Sequence, residues 1–93
     1  MRFVWDAEKN RRNRVKHRVS FEAAALVFED PHALSIQDRV VEGEERWQTL
    51  GRVGDITLLL VAHTVHEENG EEVIRIISAR TATAHERRAY EQN

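Results

Sequence analysis

The chain has 93 residues, of which 41% are hydrophobic and 32% charged. This balance is typical of one globular domain over residues 1–93 and excludes a disordered chain. The absence of cysteine excludes a disulfide framework and a thiolate zinc site. The five histidines lack the spacing of metal ligands, so no metal or other cofactor is predicted. The N-terminus lacks a signal-like apolar stretch, and the apolar run over 58–62 is far too short to cross a bilayer. We therefore expect a cytoplasmic protein without membrane contact.

The net charge of -2 is distributed unevenly along the chain. Residues 9–18 contain six cations and no acid, whereas residues 22–45 contain seven acids and one arginine. A chain divided in this way can present a basic face to phosphate while it stays nearly neutral overall. The same pattern also fits a solvated helix followed by an acidic loop. Composition leaves both interpretations open.

The N-terminal part of the chain predicts a short strand and then a basic helix. Residues 3–5 are apolar and precede Asp6, a residue type that caps helices by accepting a hydrogen bond from the first turn. The spacing predicts a helix over 7–17 with little apolar surface. Three cations form a ridge on one side of this helix: Lys9, Arg12 and Lys16.

A second helix is predicted after Ser20, which is another capping residue. Apolar side chains follow at the spacing of one helical face, so we expect this helix to be largely buried. It ends by Asp30, because a residue that precedes a proline disfavours helical geometry.

The rest of the chain predicts a sheet. The predicted strands cover residues 34–37, 47–50, 56–65 and 72–79. An acidic loop over 40–45 separates the first two, and Asn69 with Gly70 gives a two-residue hairpin signal between the last two. If these two residues are the whole turn, Thr64 pairs with Arg75.

The hairpin register also predicts which side chains share a face of the sheet. Continued along both strands, it places His63, Ser78 and Arg80 on one face and Arg75 on the other. Both faces carry apolar residues, so each needs a cover. The two N-terminal helices can cover one face, and a final helix over 85–91 can cover part of the other. The predicted class is α+β, with an antiparallel sheet of four to five strands in the order β-α-α-β-β-β-β-α.

The final helix begins at a recognisable signal. Thr83 and Glu86 have the spacing of a capping box, in which each side chain bonds the backbone of the other residue.

Four segments together resemble the BrnT family. They are FVWDAEKNRRNRVKH at 3–17, VSFEAAALVFEDP at 19–31, GEERWQTLG at 43–51 and RIISARTATAHERRAYE at 75–91. The resemblance implies a RelE-like ribonuclease toxin of a type II toxin–antitoxin pair, held inactive by a BrnA-like ribbon-helix-helix antitoxin. Operator DNA would then be contacted only through the antitoxin. The family often has glycine after the histidine that ends the first helix, where this chain has Arg18.

Cleavage of RNA uses the nucleophile that RNA already carries, its 2'-hydroxyl group. The reaction needs a base, cations that stabilise the phosphorane and an acid for the leaving oxygen, and it needs no metal ion. From the resemblance, the candidate catalytic residues are Arg80, His63, Arg46, Arg75 and Tyr90. The candidate RNA-binding residues are Lys9, Arg12, Lys16, His17, Trp47, Arg87 and Arg88.

Each candidate also has a structural interpretation. His63 lies in an apolar strand and can be a hydrogen-bonded core residue. Arg75 can pair with a carboxylate, Arg80 can pair with Glu86, and Tyr90 can simply close the core. The basic ridge can be a solvated face or a docking surface for an acidic antitoxin. The rival hypotheses are a non-catalytic corepressor subunit of the toxin–antitoxin complex and a relative that has lost catalysis.

Overall fold

A computed structural model describes residues 1–92 as a five-stranded sheet with helices on both faces. In chain order the elements are β1 (Arg2–Val4), α1 (Ala7–His17), α2 (Phe21–Ala25), a 3-10 turn (Leu26–Glu29), β2 (Leu34–Val41), β3 (Glu44–Val53), β4 (Thr57–Glu68), β5 (Glu71–Thr81) and α3 (Ala84–Glu91). This order confirms the predicted succession of strands and helices. No helix within residues 1–92 is long and apolar enough to span a bilayer.

The sheet is mixed, with the strand order β1-β5-β4-β3-β2. The three hairpin-connected pairs are antiparallel, but β1 runs parallel to β5. The prediction of a purely antiparallel sheet is therefore wrong at this edge. No hairpin fixes the direction of β1, because two helices and three strands separate it from β5 along the chain.

The helix ends form as predicted. Asp6 accepts a hydrogen bond from the backbone of Lys9, Ser20 caps α2, and Thr83 with Glu86 forms the capping box of α3. After α1, Arg18 adopts the left-handed conformation that glycine usually supplies, with φ of 62°.

The predicted acidic loop over 40–45 is instead a tight hairpin. Val41 still pairs with Glu44, and the two residues between them, Glu42 and Gly43, have φ of 51° and 80°. Positive φ at both positions is typical of a two-residue turn that matches strand twist. The strands β2 and β3 therefore extend up to this turn.

Helix α1 is held by buried asparagines, since it has no apolar stripe. The Asn13 amide nitrogen donates to the carbonyl oxygens of Val19 and Ala79, each at 2.8 Å, and its oxygen accepts from the Ala79 nitrogen at 3.2 Å. Asn10 accepts from the nitrogen of Phe21 at 2.9 Å. These bonds attach α1 both to α2 and to β5.

The two faces of the sheet are covered unequally. The larger core lies under α1 and α2, on what we call the helical face, and comprises Val19, Phe21, Ala24, Val27, Leu59, Val61, Ile74, Ile76 and Ala79. The smaller core lies under α3 and comprises Leu50, Leu58 and Tyr90, with Leu34, Leu60 and Ala82 packed against it. Because α3 has only eight residues, part of that second face is left open.

A bulge in the β4–β5 hairpin decides which side chains reach each face. Near the turn, Thr64 pairs with Arg75 as predicted. Between Ala62 and His63 the register shifts by one residue, so that Leu60 pairs with Arg80. An extra residue in one strand reverses the faces beyond it. The predicted sharing of a face by His63 and Arg80 is therefore wrong, because Arg80 shares the face of Arg75 instead.

The bulge also makes the predicted face of Ser78 wrong. It pairs with Ala62 and so lies on the opposite face from His63.

Candidate functional site

Three predicted catalytic residues, Arg46, Arg75 and Arg80, lie on the α3 side of the sheet. Arg46 and Arg75 are both cross-strand partners of Thr64. Arg80 lies opposite Leu60, which belongs to the core under α3. Thr64 and Leu60 are four residues apart in β4, or roughly 13 Å at the usual strand rise. We call the surface formed by these three arginines and Thr64 the arginine face.

A carboxylate joins two of these arginines. The Glu44 Oε1 atom lies 2.6 Å from Arg75 Nη2 and 3.9 Å from Arg46 Nε, the second distance being too long for a hydrogen bond. Between them, Thr64 Oγ1 and Arg46 Nε are buried and make no hydrogen bond within residues 1–92. Buried polar atoms normally have partners, so this row has unused capacity for hydrogen bonds.

Arg80 is engaged by Glu86 of α3. Its two terminal nitrogens each donate to one Glu86 carboxylate oxygen at 2.9 Å, which is a bidentate ion pair. The guanidinium lowers the pKa of Glu86 to about 2. Glu86 also accepts from the backbone nitrogen of Thr83 in the capping box. The ion pair between Arg80 and Glu86, expected from the sequence as the structural alternative for Arg80, is therefore present.

His63 lies on the helical face, with the sheet between it and the arginines. Its side of β4 carries Val61 of the larger core, and only 3% of His63 is exposed. Its Nε2 atom lies 2.7 Å from Thr49 Oγ1, and its ring packs edge-on against Phe28. Burial lowers the pKa of His63 to about 4, so the imidazole is neutral at physiological pH.

Trp47 lies on the same side as His63, its cross-strand partner. It is half-buried and lines a hollow together with His63, Phe28 and two carboxylates, Glu45 and Glu72.

Tyr90 anchors the end of α3. Its hydroxyl group donates to Asp30 Oδ2 at 2.6 Å, and the Arg52 guanidinium lies 5.5 Å from the ring centroid. The hydrogen bond to Asp30 raises the pKa of Tyr90. The buried ring packs in the core with Leu50 and Leu58, which separates it from the open part of the arginine face.

The other candidate RNA-binding residues lie on two helices. Four of them line one shallow hollow between α1 and the edge of β5: Lys9, Arg12, Lys16 and His17. On α3, Arg87 donates to the backbone oxygen of Ile56 at 3.3 Å, and Arg88 is exposed. The structure thus brings the α1 set together but places it apart from the α3 pair.

Sequence reasoning missed Glu44 and Thr64. The acidic composition of 40–45 predicts a loop at Glu44, but the residue lies in β3, two residues before Arg46, and alternate residues of a strand share a face. Thr64 was predicted as the partner of Arg75, and its position beside Arg46 required the β3–β4 register as well. The described residues, 1–92, contain no group of three histidine, aspartate or glutamate side chains that could hold a metal ion.

Comparisons with known proteins identify a family. Residues 5–86 match the model of the ribonuclease toxin BrnT of type II toxin–antitoxin systems. The fold is similar to the crystal structure of the Brucella abortus ribonuclease toxin BrnT, with a TM-score of 0.69 and 25% sequence identity. That match covers 89% of this chain and 97% of the Brucella chain. A comparison with curated protein sequences found no match.

Proposed function

This chain belongs to the BrnT family of ribonuclease toxins of type II toxin–antitoxin systems, and we propose that it cleaves RNA at the arginine face without a metal ion. We also propose that the fold is RelE-like and that the protein acts in the cytoplasm. A ribbon-helix-helix antitoxin neutralises it, and operator DNA is contacted only through that antitoxin.

The observation that carries this proposal is the position of Arg46 and Arg75. Both flank Thr64 on an open part of the sheet, and their side chains are 26% and 36% exposed. A guanidinium stays charged at any working pH and binds two phosphate oxygens at once.

The proposed mechanism uses these cations where a metal ion would otherwise act. As the 2'-oxygen attacks phosphorus, negative charge grows on the phosphorane oxygens, and fixed guanidinium groups stabilise that charge. Arg80 binds the same strand further along the face, after its contact with Glu86 opens. The exposed cations of α1 and α3 extend the electrostatic attraction for the RNA backbone.

A non-catalytic corepressor subunit is the second candidate. The observation that favours it is that Arg75 and Arg80 already have carboxylate partners, Glu44 and Glu86. Under this alternative, both ion pairs only stabilise the domain, and the physiological contact is with the antitoxin alone.

The test compares Arg75→Lys and Arg80→Lys with Arg2→Lys, an exposed arginine paired with Glu68 and Glu71. Lysine keeps the charge but loses the bidentate geometry, so each of the first two variants is expected to cleave RNA about 10- to 1000-fold more slowly. Arg2→Lys should cleave at the wild-type rate. Cleavage should survive EDTA and leave a cyclic phosphate or 3'-phosphate end.

Melting curves on the same preparations separate the two candidates. A purely structural role for Arg80 predicts a lower melting temperature with unchanged cleavage per folded molecule. Wild-type protein that binds its antitoxin but cleaves no RNA would favour the corepressor.

A further inference from the structure

The proposed reaction needs a base, and the arginine face contains two carboxylates that contact its arginines. Glu86 has both oxygens bonded to Arg80, and it also accepts from the backbone of Thr83. Because Arg80 lowers the pKa of Glu86 to about 2, this carboxylate is a weak proton acceptor. In this structure both Glu86 oxygens therefore already have partners in Arg80 and at the start of α3.

In the described part of the chain, only one of the two carboxylate oxygens of Glu44 has a partner. Both of its ion-pair contacts, to Arg75 and to Arg46, use Oε1. Within residues 1–92, Oε2 accepts no hydrogen bond, and 42% of the side chain is exposed. One carboxylate oxygen thus lies beside the two arginines, while the other makes no hydrogen bond within residues 1–92 and can accept a proton.

The histidines of β4 and α3 do not provide a proton acceptor that Arg46 and Arg75 hold in the same way. His63 lies on the opposite face of the sheet. His66 lies two residues after Thr64 on the same side of β4, and its Nε2 atom contacts a Glu68 oxygen at 2.7 Å. His85 of α3 lines a hollow beside Leu60 and Glu86, and none of the residues of the Arg46–Thr64–Arg75 row lines that hollow.

We propose that Glu44 is the general base of the reaction. A phosphate held by Arg46 and Arg75 would have its neighbouring 2'-hydroxyl group beside the carboxylate that those arginines already contact. Oε2 takes the hydroxyl proton, the 2'-oxygen forms a bond to phosphorus, and the bond from phosphorus to the 5'-oxygen breaks. A solvent water protonates the leaving 5'-oxygen, and Glu44 then returns its proton to solvent. The products are a 2',3'-cyclic phosphate and a 5'-hydroxyl end.

The assignment of Glu44 rests on the proposed ribonuclease function. The experiment distinguishes failure of that function from failure of the assignment. Purified wild type is first assayed for RNA cleavage, and absence of cleavage there would overturn the ribonuclease proposal itself. Glu44→Gln removes the proton acceptor with almost no change in size. It is expected to cleave about 10²- to 10⁴-fold more slowly than wild type, the usual range for general-base catalysis. Binding of 2'-O-methyl RNA, which cannot react, should be unchanged or tighter, because one negative charge is gone.

Two further variants complete the test. Glu45→Gln makes the same change at the next residue, whose side chain points to the helical face, and should cleave like wild type. Glu44→Ala in added formate should regain part of the lost rate, because formate can supply the missing carboxylate. If Glu44→Gln cleaves as fast as wild type or faster, Glu44 is only a competitor for the arginines and the proposal is wrong. A loss of 2'-O-methyl RNA binding equal to the loss of cleavage would also overturn it.

Discussion

The helical face and the arginine face belong to the same strands but use their polar residues differently. On the helical face, two helices cover the larger core, where Asn13 bonds the backbone and His63, only 3% exposed, contacts Thr49. On the arginine face, the eight residues of α3 leave Arg75 and Arg80 with side chains 36% and 38% exposed. The extent of the cover therefore decides whether a polar group stabilises the fold or remains available to a ligand.

This difference predicts that the two faces can be damaged independently. Substitutions on the helical face should lower the free energy of unfolding and leave cleavage per folded molecule unchanged. Substitutions on the arginine face should lower cleavage per folded molecule and change the free energy of unfolding little. Three substitutions of decreasing expected effect, Asn13→Ala, His63→Gln and Tyr90→Phe, test this separation.

The largest effect is expected for Asn13→Ala. The substitution removes three hydrogen bonds and leaves two buried carbonyl groups and one N–H group without a partner. Each such group costs about 1–3 kcal/mol, so we expect a total loss of about 3 kcal/mol after partial relaxation. In a domain of this size that lowers the melting temperature by roughly 12–24 °C.

The matched control is Arg14→Ala, an exposed position on the same helix. It should change the free energy of unfolding by less than about 0.5 kcal/mol. An equally small loss for Asn13→Ala would mean that other contacts hold α1 on the sheet.

A smaller effect is expected for His63→Gln, which can keep the hydrogen bond to Thr49 but packs less well against Phe28. We expect a loss of about 1–2 kcal/mol in unfolding free energy and a cleavage rate within about threefold of wild type. A hundredfold loss of cleavage at an unchanged melting temperature would place His63 in the chemistry and would break the separation between the faces.

The pH dependence of the free energy of unfolding tests the buried position of His63 a second time. The pKa of His63 is lowered to about 4 in the folded state, so between pH 6.5 and 4 the unfolded chain binds the proton more readily. Wild-type stability should therefore fall as pH falls through this window. The His63→Gln variant should lose that part of the pH dependence.

Local signals in the sequence predicted much of this fold. The Thr83–Glu86 capping box and the Asn69–Gly70 turn act over two to four residues, so neighbouring residues alone specify them. The bulge after Ala62 has no such signal in the neighbouring residues, and it lies close to the point where Asn13 of α1 bonds the backbone of Ala79. The one-residue shift reversed the predicted face of every residue beyond it.

The same distinction applies to the candidate site. The arginines were found because their segments resemble a family, and their residue type matches phosphate chemistry. Glu44 was missed because the acidic composition of 40–45 indicated a loop, whereas a tight turn at Glu42 and Gly43 keeps Glu44 in a strand beside Arg46. A site assembled from cross-strand neighbours depends on register, which residue types alone do not determine.

The smallest effect is expected for Tyr90→Phe, at the closed end of the face that carries the arginines. The change removes one hydrogen bond to Asp30, whose Oδ2 atom still accepts from the backbone of Arg52. We expect a loss of about 1 kcal/mol, or roughly 4–8 °C in melting temperature, with the buried ring still packed against Leu50 and Leu58. Cleavage per folded molecule should not change, because this ring lies within the core and away from Arg46 and Arg75. If Tyr90→Phe melts like wild type but cleaves far more slowly, the phenol takes part in the reaction. The end of α3 would then have to move so that Tyr90 reaches the arginines. The core under α3 would in that case be less closed than the structure shows.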